Sequence, residues 1–256
     1  MSQINHSAQT GQLRVAPDTP ERSYESASMQ QLLERYRQFR NEVFPERKEE
    51  FTKLATQQSP QVLFITCSDS RVAPDIVLQS EPGDLFVCRN VGNIVPPYGE
   101  MLGGVSAAIE YAVRALEVQA IVICGHSDCG AMKALIHPEK VADLPTVSAW
   151  LRHADSAKQI AAEHHSHLNE QDFLKALTEE NVIAQIGNLE THPAVASRLR
   201  RGDLELYGWV YSIGTGEVSA LDAQQGRFVA LDSSLPSATL PPRRRVATAD
   251  GSSSGQ

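Results

Sequence analysis

Two short strings concentrate the residue types that bind soft metal ions or carry out nucleophilic chemistry. One is Cys67-Ser68-Asp69-Ser70-Arg71 and the other is Cys124-Gly125-His126-Ser127-Asp128-Cys129-Gly130. Cys67, His126 and Cys129 offer two thiolates and an imidazole, a borderline-soft set suited to tetrahedral Zn²⁺. Three protein ligands leave a fourth position for water, the pattern of a catalytic rather than a closed structural site. Two thiolates offset the charge of the ion, so it polarises its water less than an all-imidazole centre does, and neighbouring hydrogen bonds must help. Asp69 and Arg71 follow Cys67 closely enough to pair beside the metal, where the guanidinium keeps the acid ionised and fixes its direction. Asp69 then either accepts a hydrogen bond from the water or takes the fourth position and shuts the site. The plainer account makes the cysteines buried small hydrophobes and His126 a satisfied core group, since free Cys is among the most buried residue types.

The elements needed to bring these strings together are legible as pattern. VLFIT at 62–66, LFVC at 85–88 and AIVIC at 120–124 are β-rich runs too short for helices, and they read as buried parallel strands. Both chemical strings sit at the carboxyl ends of such strands, where open parallel sheets place their ligand sites. Helical spacing covers 104–116, 147–164, 172–188 and 193–201, and the second string opens a helix. A fourth strand is expected at 204–213, with a short pair at 217–221 and 227–231. Leu32, Leu33, Tyr36 and Phe39 mark a pair of amphipathic helices over 29–54, interrupted at Pro45. Strands alternating with helices make an α/β domain with a mostly parallel sheet.

Composition excludes several classes. With 16 Gly and 14 Pro in 256 residues, collagen-like and low-complexity chains do not fit, and 41% hydrophobic residues suffice for a core. A net charge of −8 without a basic stripe argues against a nucleic-acid partner. The longest apolar runs fall well short of the ~18 residues of a spanning helix, so no membrane partner is expected. The amino end lacks a basic start followed by an apolar run, which points to a cytoplasmic protein whose four cysteines stay reduced. Residues 1–28 and 233–256 are Ser-, Gln-, Thr- and Pro-rich and read as disordered, with the catalytic domain over 29–232. The run Arg243-Arg244-Arg245 reads as a solvated tail. Recruitment of a partner protein through the tails is the other use of such segments.

The pairing of Cys67-x-Asp69-x-Arg71 with His126-x-x-Cys129-Gly130 resembles the zinc site of the β-class carbonic anhydrases. Arg89-Asn90 with Gly92-Asn93, Ile123-Cys124-Gly125-His126 and Gly208-Trp209-Val210-Tyr211 stand where that family has similar strings. The likeness runs from about Leu32 to Leu231 and leaves the two ends uncovered. It implies zinc-dependent reversible hydration of CO₂ to bicarbonate and a proton, through hydroxide held on the zinc. It also implies one zinc per chain on Cys67, His126 and Cys129, with Asp69 and Arg71 as a hydrogen-bonding dyad. The implied fold is a parallel four-stranded sheet with an antiparallel fifth strand, flanked by helices and preceded by a helical arm. The implied assembly is a homodimer or a higher homo-oligomer.

Within the family, this chain is similar to the plant-like type with an open site. Gln58, Phe86, Val91 and Tyr111 match its substrate pocket, to which the glutamine comes from the neighbouring subunit. A type inhibited allosterically by bicarbonate has Trp where this chain has Phe64, although Arg89 and Tyr211 match other members of that inhibitory site. No such inhibition is expected. His153, His164, His165 and His167 are proton-relay candidates by residue type alone and read as surface histidines, while Cys88 and Cys124 read as core. Relatives that hydrolyse CS₂ or COS share the ligands and the dyad, so those activities stay open. The Pro-Cys-x-x-Cys string of zinc base deaminases is absent.

Overall fold

A computed structural model of the chain describes residues 27–100 and 103–231. The described residues divide into two compact units, one up to Thr56 and one from Gln57 on. In the first, α1 (Ala27–Gln38), a π-helical turn (Phe39–Val43), α2 (Phe44–Glu46) and α3 (Lys48–Leu54) follow one another. Pro45 has no N–H to give to the preceding turn, and the chain adjusts by widening it, so that Phe44 N–H reaches Phe39 O. The interruption expected at Pro45 is therefore a bulge before it and a break at Arg47. Phe39, Phe44 and Phe51 pack with ring centroids 5.4–6.2 Å apart, and the Arg47 guanidinium lies over Phe51 while bonding Glu50. The arm predicted over 1–28 and the tail over 233–256 lie outside the described residues, except that helix already begins at Ala27.

The second unit holds a six-stranded sheet in the order β2-β1-β3-β4-β5-β6. β1 (Val62–Cys67), β2 (Leu85–Asn90), β3 (Ala120–His126) and β4 (Glu205–Tyr211) are parallel. β5 (Val218–Asp222) and β6 (Arg227–Ala230) then run antiparallel, so the sheet has one strand more than the five implied. The connecting helices are α4 (Pro74–Leu78), α5 (Gly104–Arg114), α6 (Gly130–Ile136), α7 (Pro145–Leu151), α8 (Asp155–His165), α9 (Glu170–Glu190) and α10 (Pro193–Arg201). The single helix expected over 147–164 is broken by a 3₁₀ turn at Arg152–Ala154, which lets Leu151, Ala154 and Ala157 all face inward. α10 runs from a proline at its first turn to Gly202 at φ 76°, with the Gly202 N–H closing on Arg198 and Leu199 carbonyls.

β1 and β3 are buried on both faces, as their continuous apolar runs require. One face, through Leu63, Ile65, Ile121, Ile123 and Leu206, packs on α5, α9 and α10. Each such fully buried aliphatic side chain contributes about 1.5–3 kcal/mol. Gly208 is needed on β4 because a Cβ there would lie 2.8 Å from Ile186 and Val182 of α9. The other face gathers Phe64, Val122 and Cys124 with Tyr207, Trp209 and Tyr211. β2 departs from expectation: it is the outer strand, half-exposed along its length, and Cys88 on it is half-buried rather than core. Cys124 is buried, and burial pushes its thiol up to about 12.

His192, just after α9, is 3% exposed, with Nε2 3.0 Å from the Pro96 carbonyl, and its burial holds the imidazole below its ordinary pKa. The unfolded chain therefore binds a proton just below pH ~6.5 that the folded chain does not. Stability should fall as the pH drops through that window. His192→Gln, which keeps the N–H donor, should flatten this part of the profile in denaturant unfolding followed from neutral to mildly acidic pH.

Candidate metal centre

Thr66 of β1 pairs with Cys124 of β3, so the next residues of the two strands emerge together at their carboxyl ends. Cys67 closes β1 and His126 closes β3. Asp128 adopts φ 60° and turns the chain sharply, so that Cys129 sits immediately before α6. The Cys67, His126 and Cys129 ligand atoms all lie within 4.8 Å of one another, and all three residues are buried. His126 Nδ1 is 2.9 Å from the Ser127 carbonyl, which assigns its proton there and leaves the Nε2 lone pair facing the sulfurs. Nε2 is buried and has no hydrogen-bond partner. The two cysteines polarise one another: the hydrogen bond from Cys129 drives the Cys67 thiol well down, while Cys129 is pushed up by Cys67 and by burial. Peptide N–H groups support the sulfurs, among them Gly92 N–H at 3.4 Å from Cys67 Sγ.

Beside the cluster, Arg71 grips Asp69 with two parallel bonds, Nε to Oδ1 at 3.0 Å and Nη2 to Oδ2 at 2.8 Å, and its own N–H adds a third. These bonds hold the Asp69 carboxyl far below the usual carboxylate range. Asp69 Oδ2 stands 3.9 Å from His126 Nε2, at the edge of the cluster. Arg71 also bonds Asp128 at 3.0 Å, and Asp128 pairs with Lys133. Sequence reasoning gave Asp128 no role, although a five-donor guanidinium beside one carboxylate calls for a further acceptor. Arg89, matched above to an inhibitory anion site, donates instead to the carbonyls of Cys67 and Asp69 at 3.1 and 2.6 Å. It fixes the backbone that carries the first ligand.

The carbonic anhydrase family profile matches residues 62–218, from β1 to the start of β5. A carbonic anhydrase of Pseudomonas aeruginosa is 50% identical over 203 residues, covering 79% of this chain and 92% of its own. One from a Synechocystis species is 47% identical over 208 residues, covering 81% of this chain and 76% of its own. The solved β-carbonic anhydrase CcaA superposes with a TM-score of 0.80 at 46% identity, covering 82% of this chain and 95% of that one. The chain belongs to the β-carbonic anhydrase family. A tetrameric β-carbonic anhydrase of Sordaria macrospora also superposes, with a TM-score of 0.71 at 30% identity, covering 80% of this chain and all 100% of that one.

The residues matched to the family's substrate pocket do not all meet within one chain. Val91 follows the last residue of β2 and is 42% exposed at the same end of the sheet as the cysteines. Phe86 pairs with Leu63 near the strand starts, about 13 Å of strand from the Cys67 level at ~3.3 Å per residue. Tyr111 on α5 lies against it, ring centroids 5.8 Å apart. Gln58 is exposed ahead of β1, at that same far end. Of the histidines, His164 and His167 are exposed, as expected, and His165 is half-buried 3.6 Å from Glu180. His153 is half-buried, unlike an open surface group: its side chain is 14% exposed, edge-to-face with Trp150 and 3.4 Å from Glu100. Among the described residues, no helix is long and apolar enough to cross a membrane.

Gly92 has φ 82°, and a Cβ on it would lie 2.8 Å from the Ala131 Cβ at the start of α6. Gly92→Ala should therefore cost about 2–5 kcal/mol, combining left-handed backbone strain with overpacking. Denaturant unfolding of the variant against the parent measures it.

Proposed function

We propose that this chain catalyses the reversible hydration of CO₂ to bicarbonate and a proton, with one zinc ion per chain held by Cys67, His126 and Cys129. The reading is carried by His126 Nε2, a buried lone pair with no partner that shares a 4.8 Å cluster with two cysteine sulfurs. Leaving such an acceptor unsatisfied costs about 1–3 kcal/mol, and a divalent cation among these soft donors satisfies it. Zinc, when bound, supplies the Lewis acidity that lets water lose a proton near neutral pH.

The chain's own residues do the rest. Arg71 occupies both Asp69 oxygens and turns the carboxylate toward the cluster as a hydrogen-bond acceptor, which favours the open form of the site over one in which Asp69 is a ligand. Asp69 Oδ2 orients the hydroxyl of the attacking oxygen and then that of the product. Gln58 donates its amide N–H to the product oxygen, and Phe86, Val91 and Tyr111 form the dry wall that admits an uncharged gas. The proton passes to solvent and buffer.

Because Gln58, Phe86 and Tyr111 lie at the far end of their own sheet, a second copy of the chain brings them to the metal end. This supports a homodimer as the smallest active unit, or a higher oligomer such as the tetramer of the Sordaria macrospora enzyme. The outer strand β2 and the exposed Val87, Val91 and Tyr111 are suited to that contact. We read 29–232 as the catalytic domain and the cytoplasm as its setting, in keeping with four free thiols. Arg89 is engaged with backbone carbonyls and Phe64 packs on Trp209, so the chain is read as free of bicarbonate inhibition.

Stopped-flow CO₂ hydration on zinc-quantified protein, near pH 7 and near pH 8.5, tests the reading. Fast turnover at both pH values, lost on chelation, restored by zinc and without cooperative loss in bicarbonate, is expected; no turnover with zinc bound would overturn it. Cys67→Ala, His126→Ala and Cys129→Ala should each abolish zinc retention, read by metal analysis, together with activity. Arg71→Ala should keep the zinc and lose about 10- to 100-fold in kcat near pH 7, as loss of an orienting partner does.

A further inference from the structure

The segment 91–98 leaves the carboxyl end of β2 and runs beside α9 without regular structure, so its peptide groups need partners from elsewhere. The Val91–Gly92 peptide is held at both ends. Its carbonyl accepts from Trp150 Nε1 at 2.8 Å, and its N–H donates to Cys67 Sγ at 3.4 Å. The next carbonyl, that of Gly92, accepts from Asn181 Nδ2 at 3.1 Å. Asn181 is itself held by Gln185 Nε2 at 2.9 Å, and Gln185 Oε1 takes the Val95 N–H at 2.8 Å. Asn181 and Gln185 are 0% exposed and one helical turn apart on α9, between Val182, Ile186 and Leu189, which pack into the core. Two carboxamides buried on the core face of α9 are costly unless bonded, and their bonds go to one another, to Asn188 and to this segment.

We propose that Trp150 and Asn181 are positioning residues that clamp the backbone on either side of Gly92 and so aim its N–H at the Cys67 sulfur. A trans peptide is planar, so a donor fixed on the Val91 oxygen sets the direction of the Gly92 N–H. Hydrogen bonding at the carbonyl also polarises the peptide and strengthens the N–H as a donor. The N–H draws charge from the sulfur, which makes Cys67 a weaker electron donor and the metal beside it a stronger Lewis acid. Val91, a pocket residue in the proposed reading, is fixed by the same bond. This inference rests on Cys67 holding a metal.

Cobalt(II) substituted into the full-length protein is the probe, because sulfur-to-cobalt charge transfer reports the sulfur directly. The parent should take up one cobalt per chain and show this band, and Cys67→Ala, which should not retain the metal, should lose it. Trp150→Phe keeps an aromatic ring and removes the indole N–H; it should move the band to longer wavelength, as a stronger sulfur donor does. Asn181→Ser should move the band in the same direction, and it decides alone where Trp150→Phe does not fold. Ser148→Ala removes a different hydrogen bond from α7, that to Val141 O at 2.8 Å, and should leave the band in place. An unmoved band in Trp150→Phe, or an equal shift in Ser148→Ala, would overturn the inference while leaving the metal site standing. Absence of any sulfur-to-cobalt band in the parent would overturn both.

Discussion

Parallel hydrogen bonding between β1 and β3 delivers Cys67 and His126 to the same end of the sheet, and the surrounding structure is arranged around the consequences. Two sulfurs and an imidazole nitrogen within 4.8 Å, all out of water, would be an expensive set of polar groups on their own. The sharp turn at Asp128 adds Cys129 to the set at the start of α6. The apolar jacket around these donors, from Ile94, Met132, Leu135, Leu151 and Leu177, excludes water and strengthens each electrostatic contact inside.

Charge outside the jacket is organised for direction more than for stability. Asp69, Arg71, Asp128 and Lys133 form a continuous chain from the cluster edge to solvent. Arg71 is 44% and Asp128 52% exposed, where water and salt screen the pairs and leave little net stabilisation. What the chain does secure is geometry. With both oxygens occupied by a planar guanidinium that a second carboxylate also holds, Asp69 has one orientation beside the cluster. Arg89 does the equivalent for the backbone beneath it.

Under the proposed function, a gas that becomes an anion calls for a pocket with an apolar wall and few polar groups, and one chain would supply only part of that wall beside the Cys67, His126 and Cys129 cluster. The outer strand β2 explains the division. Its carboxyl end carries Val91 toward its own cluster, while Phe86 near its start lies with Tyr111 at the opposite end. Under the proposed function, catalysis and association are then one problem, because the surface that completes the pocket is also the surface left exposed.

Local pattern was enough for the strands, most of the helices and the three donors that the structure brings together. Period-2 and period-3.6 signals depend on neighbours in sequence, and Cys67, His126 and Cys129 lie in short strings whose residue types announce their chemistry. The α/β class, β1, β3 and the exact span of α10 were readable for that reason. The burial of β2 was not: an apolar run looks alike at the centre and at the edge of a sheet, and only strand order separates them. His153 was misread as a surface group because part of its shielding comes from Glu100, far earlier in the chain, beside that of Trp150 one turn away. Asn181 and Gln185 passed as ordinary helix residues, since the backbone they bond lies about ninety positions earlier in the chain. Sequence by itself determined which atoms can bind a metal, because that is a property of side-chain type and short spacing. Tertiary structure alone decided which buried amide meets which distant peptide group, because those pairings exist only once the chain has closed on itself.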